Sequence, residues 1–335
     1  MKLRTNTVIV AAVALTLSAC AGTDPIATTT GELTTLAPVA TPTSVTTQQP
    51  TTTATPTLPP APPSGICRSY DEPVSTGAVT NGDVTETSGI AVSQTYPGTI
   101  WLHNDSGGGA FVYAATTEGD DMGAFEIDAS AFDWEDMAIG PGPGPGMDYL
   151  YLGDIGDNLH FRGAITIYRI VEPMPDPAGG FVTDVARFDL AYPDPGYDAE
   201  SMLVDPVTGD ILIITKPSSG DPALIFRAAA TELSEDATTE MTQIGSFPLD
   251  SGLFVTAADI DRTGRVIVFR GYNQVWLWER VDIEFSETFA VEPCRTPSTA
   301  EVQGEAIAFV SGGYSYVTIS EGSSPDINLV TSIFD

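Results

Sequence analysis

From about Gly65 to the C-terminus, short runs of β-branched and aromatic residues alternate with polar breaks rich in glycine and proline. Thr99–Leu102, Tyr149–Leu152, Ala164–Tyr168, Asp210–Thr215, Arg265–Phe269, Val275–Trp278 and Tyr314–Ile319 have the composition and length of strands. Segments such as Gly140–Gly146 separate them. No long stretch carries the periodicity of an amphipathic helix, and Ala228–Glu240 is the best short helical candidate. The pattern predicts an all-β domain.

A repeat organises these strands. Glu86–Ala91, Asp133–Ala138, Asp198–Leu203, Thr256–Asp261 and Gln303–Ala308 each place acidic or small residues before a short apolar run. Aligned on the Ile or Met, Glu135, Glu200 and Glu305 share one position, with Ser88 and Ala258 at the other two. A stronger strand follows each. Recurrence at this scale, with several strands per unit, predicts a single β-propeller of five blades, with six as the alternative. The last repeat holds three strands at most, so Cys67–Val79 is free to supply the missing outer strand and close the ring. Cys67 and Cys294 stand near that seam and are expected to pair in an oxidising compartment.

The residues before the domain differ sharply from it. Lys2 and Arg4 precede an apolar run, Val8–Leu17, too short to span a bilayer and of the right length for a signal peptide core. It ends in Leu17-Ser18-Ala19-Cys20, which resembles the lipobox of bacterial lipoproteins. The resemblance implies cleavage after Ala19 and lipidation of Cys20. Residues 20–64 are dominated by Thr and Pro and lack aromatic residues, as expected of a disordered, extended tether. The predicted order is a leader over 1–19, a lipidated cysteine and tether over 20–64, and a propeller over 65–335. The location that follows is the cell envelope, outside the cytoplasm, with the membrane reached through the lipid alone.

Charge narrows the partners. The chain carries a formal net charge of −32, which argues against nucleic acid and anionic lipid surfaces. The same acidity suits a divalent cation. In a propeller blade, the start of the inner strand and the end of the second strand share one face. That rule gathers Glu135, Asp136, Asp154, Asp157 and Glu200 as candidate metal ligands at one mouth of the channel, with calcium as the expected ion. Asn104, Asp105, Lys216, Arg270, Glu305 and Glu321 are candidate ligand contacts on the same face. Lys216 is the sole lysine after Lys2, and a cation among so many carboxylates marks a site. A structural reading stands beside this one: Asp154–Asn158 as a turn bonded to its own backbone, and Lys216 and Arg270 as ion pairs fixing adjacent blades. His103 and His160 lack zinc-site spacing, and there is no nucleophile elbow or phosphate-cradling loop.

Trp101–Gly107, Asp133–Asp136, Tyr151–Asn158 and Asp198–Glu200 together resemble motifs of a family of exported bacterial propeller proteins without an assigned function. A looser similarity is to calcium-dependent β-propeller phytases, which pair carboxylate-bound calcium with basic phosphate contacts. These resemblances imply the fold more firmly than an activity. Two functions follow. The first is a surface binding or scaffold propeller, monomeric, taking a protein, a glycan or a small anionic ligand. The second is a metal-assisted hydrolase of phosphoesters, esters or lactones, its metal held by carboxylates and its substrate by Lys216 and Arg270.

Overall fold

The structure is a computed structural model that describes residues 56–62, 65–194, 196–217, 220–250 and 253–335. The predicted leader, Cys20 and the tether as far as Thr55 lie outside the described residues.

Five antiparallel sheets form five blades. The first blade is Thr87–Val92, Thr99–Asn104, Phe111–Thr116 and Asp121–Ile127. The second is Trp134–Pro141, Asp148–Asp154, Ile165–Val171 and Val185–Ala191. The third runs through Ala199–Val204, Ile211–Thr215, Ala223–Ala228 and Thr242–Phe247. The fourth comprises Ala257–Ile260, Val266–Gly271, Gln274–Glu279 and Cys294–Thr296. In the fifth, Gly304–Phe309, Tyr316–Ser320 and Asp326–Val330 are completed by Val74–Ala78 from the start of the domain. The five-blade reading therefore holds. Val74 pairs with Leu329 and Ala78 with Asp326, so the two ends of the domain share one sheet and the ring closes there. Cys67 and Cys294 form the expected disulfide, joining positions 227 residues apart.

Two short strands were not anticipated. Gly180–Val182 adds a parallel edge to the first blade, and Thr239–Glu240 adds one to the second. The latter also corrects the helical reading of Ala228–Glu240, which is a chain of turns ending in that strand. Leu233 of this segment and Met241 just after it pack on the core between the second and third blades.

The apolar core is a series of inter-blade layers. Tyr151, Ile167 and Phe188 of the second blade interleave with Met202, Ile213 and Phe226 of the third. Leu212 and Ile214 meet Phe269, Trp276 and Trp278 in the next layer. The remaining seams are built the same way. Burying both faces of every blade explains why the second strands read as continuous apolar runs rather than alternating ones. Polar residues are thereby pushed to the strand ends, where the site forms.

Residues 56–62 have no regular secondary structure, and the Pro59 carbonyl accepts a 2.6 Å hydrogen bond from Arg265 Nε. Arg265 precedes the second strand of the fourth blade, at the end away from Arg270, so this segment lies on the face opposite the candidate mouth.

Candidate functional site

Four inner strands share one irregularity. Register shifts fall between Thr87 and Gly89, Trp134 and Asp136, Ala199 and Ser201, and Gly304 and Ala306. The extra residues are Ser88, Glu135, Glu200 and Glu305, the positions aligned by the repeat. A bulge re-aims the side chain of its extra residue, and here it turns each one into the channel mouth. The fourth blade pairs Ala257 with Arg270 and Ala258 with Phe269 without a shift, which fits its shorter loop and the lack of an acid there.

The end of each second strand folds back on the segment before its inner strand. The amides of Asp105, Ile155, Lys216 and Glu321 donate to the carbonyls of Glu86, Asp133, Asp198 and Gln303. The mouth is thus layered, and Glu86, Ser88, Asp105, Glu135, Asn158, Glu200, Lys216, Tyr272, Glu305 and Glu321 line a cavity of about 200 Å³.

Of the expected contacts, Asp105, Glu135, Glu200, Lys216, Glu305 and Glu321 are brought together here. The others are elsewhere. Asp136 follows the bulged Glu135 and does not line the cavity. It is fully buried and accepts hydrogen bonds from the amides of Met137, Met202 and Ala258, tying the second, third and fourth blades together. Asp154 accepts from the amides of Phe132 and Asp133 and pairs with Arg162 at 2.8 Å. Asp157 accepts from the amides of Phe161 and Arg162, the self-bonded turn. Asn104 holds the loop before the first blade through Thr85, Glu86 and Asp83. Arg270 is buried and donates to the carbonyls of Ala306 and Ile319 and to the Glu301 carboxylate. These five residues use their polar atoms to hold the frame.

Lys216 forms an ion pair with Glu200. Burial opposes the charge on Lys216, but the Glu200 carboxylate outweighs it, and the ammonium is held above its usual range. Glu200 is itself pushed up to about 8 by burial, with Glu305 adding to the rise and Lys216 opposing it. Its Oε2 is buried with no hydrogen-bond partner among the described residues. Burial, with Lys216 opposing and Glu321 adding, carries Glu305 to about 7. Glu135 is raised well above the carboxylate range by burial first and by Glu200, Asp105 and Asp133 after it. The face is short of positive charge.

Several residues of this face went unpredicted. Asp133 and Asp198 stand two before Glu135 and Glu200, on the same side of the chain, and the Asp-x-Glu spacing was the signal that could have found them. Glu301 lies in an irregular segment and left no signal. Beside the mouth, Phe132, Leu159 and Phe161 are 56%, 79% and 63% exposed. The two Phe rings meet edge to face, and Arg162 covers Phe132.

No family model matches the chain, and no curated protein matches it. Among solved structures it is similar to Chaetomium thermophilum Raptor, at 15% identity and a TM-score of 0.39. That match covers 76% of this chain, which spans only 21% of the length of that protein.

Proposed function

We propose that the protein is a lipid-anchored, extracytoplasmic binding propeller whose acidic mouth face docks a partner segment bearing basic and apolar side chains. The observation that carries this reading is that the exposed rings of Phe132 and Phe161 meet edge to face next to Asp133, while exposed Leu159 follows Asn158, a residue that lines the carboxylate-rich cavity. Exposed apolar side chains grouped beside a charged cavity are the usual mark of an interaction site. Charge complementarity names the occupant, because Lys216 is the one cation lining the described cavity and it is paired with Glu200. The hydrolase reading loses its support here. Lys216 and Arg270, which it needs to hold an anionic substrate, are tied to Glu200 and Glu301. The disulfide suits export, and contact of residues 56–62 with the opposite face suits presentation of the mouth away from an anchor.

The test uses a labelled peptide of alternating lysine and leucine, titrated by anisotropy against the protein, with a glutamate–leucine peptide for comparison. Binding of the lysine peptide is expected, at least ~10-fold weaker in a Phe132→Ser, Leu159→Ser, Phe161→Ser variant, since such apolar anchors carry most of an interface's affinity. Equal binding by the variant, or none by the parent protein, overturns the docking reading.

A further inference from the structure

Three carboxylates at the junction of the first and second blades stand apart from the rest of the mouth. One oxygen each from Asp105, Asp133 and Glu135 lies within 4.8 Å of the others. A single ion with oxygen ligands at about 2.4 Å spans such a set. The neighbouring cations are already assigned among the described residues: Lys216 to Glu200, Arg162 to Asp154 and Arg270 to Glu301. Arg162 near Asp133 and Lys216 near Glu135 are thus each bonded to another carboxylate, and none of the three carboxylates forms an ion pair among the described residues.

Two further observations point to a ligand. Glu135 is only 5% exposed, yet its carboxylate accepts no hydrogen bond among the described residues. Its carboxylate opens onto the cavity instead, where a bound ion can take the partner's place. The second observation is a cradle. A Cβ at residue 156 would collide with Asp133 Oδ2 and Glu135 Oε1. Gly156 does not adopt a left-handed conformation, so its backbone does not require glycine. What does require it is the space in front of the two carboxylates.

We propose that Asp105, Asp133 and Glu135 form a calcium site walled by Gly156. This deepens the reading of the mouth as a binding face, and it holds whatever partner docks there. The ligand set is all oxygen, which selects a hard cation over zinc or copper. His103 lies behind it, buried, with Nδ1 2.9 Å from the Asn104 carbonyl. Asn158 shares the cavity and offers a further amide oxygen, leaving water to complete six to eight ligands. Calcium tolerates such an irregular, partly open set, whereas magnesium demands near-ideal octahedral geometry.

Trp134 lies between two of the ligands in sequence and is buried beside them, so it serves as an antenna for terbium standing in for calcium. The experiment is titration of the purified, chelator-treated protein with terbium alone, excited through tryptophan, followed by displacement with calcium and with magnesium. Saturable emission, displaced by calcium at lower concentration than magnesium, is the expected result. Glu135→Gln and Gly156→Ala are each expected to weaken terbium binding at least ~10-fold, while Glu126→Gln, an exposed acid on the first blade, leaves it unchanged. Circular dichroism of each variant separates lost binding from lost fold. Emission that is absent, or that survives in Gly156→Ala and Glu135→Gln with the fold intact, overturns the site. Because no peptide is present, failure here is distinct from failure of the docking reading.

Discussion

The two sides of the channel mouth treat buried charge in opposite ways. Where the fourth and fifth blades meet, Arg270 donates to two carbonyls and to Glu301, and Glu301 in turn accepts from Thr318 and Asn328 at 2.8 Å each. Each charge there has a partner, and little room is left: a Cβ at Gly304 would strike the Arg270 guanidinium. Where the first and second blades meet, three carboxylates face one another with no cation, and glycine keeps the space before them open. The backbone differs with the side chains: the inner strands of the first and second blades are bulged, that of the fourth is not, and Glu301 comes from an irregular segment. A buried charge whose lone pairs are all engaged belongs to the frame, and one left unengaged marks a place for something from outside.

The largest effect is expected from breaking the closed side. Arg270→Met leaves Glu301 buried without its cation and two carbonyls without donors. That should lower the unfolding free energy by ~3–5 kcal/mol, read from urea unfolding. A loss below ~1 kcal/mol would mean that the arginine network does not hold the seam, and the contrast between the two sides would collapse.

The open side should respond with the opposite sign. Glu135→Gln replaces a buried carboxyl, whose ionised form is disfavoured by burial and by the neighbouring acids, with a neutral side chain of the same shape, so in chelator it is expected to stabilise the fold by ~1 kcal/mol. With calcium present the order should reverse, because the parent protein alone gains binding energy. Thermal melts of both proteins, with and without calcium, give the four values required. Destabilisation in chelator as well would place Glu135 in the frame beside Asp136.

Much of this arrangement was readable from the residues. The repeat yields five blades because each must restart with a small or acidic residue before an apolar inner strand. The incomplete last repeat fixes where the N-terminal strand belongs. Glu135, Glu200 and Glu305 reach the mouth because the alignment marks the bulge itself. What spacing could not separate was a carboxylate that faces the cavity from one that faces the backbone. Asp136, just past the bulge, is captured by the amides of Met137, Met202 and Ala258, while Asp133, before the strand begins, faces Gly156 together with Glu135. Asp154 and Asp157 are acidic residues in a glycine-rich turn, and nearby amides capture both. Arg162 and Glu301, which decide what stays unpaired, lie in irregular segments whose path depends on the finished ring.

The smallest expected effect concerns pH, and its sign is unusual. Burial raises Glu200 to about 8, Glu305 to about 7 and Asp259 to about 7, the last despite hydrogen bonds from the amides of Phe309 and Ile260. Unfolded carboxylates lose their protons near pH 4. Between about pH 4 and pH 8 the folded chain therefore holds more protons than the unfolded chain at these three positions, and their contribution to stability falls as pH rises through that window. The calcium-free protein is expected to melt ~2–4 °C higher at pH 5.5 than at pH 8, the shift that ~1 kcal/mol produces in a domain of this size. Glu200→Gln with Glu305→Gln should flatten that slope, since glutamine carries no charge to bury. A melting temperature that climbs from pH 5.5 to pH 8 would show that these three carboxylates are already compensated in the free protein.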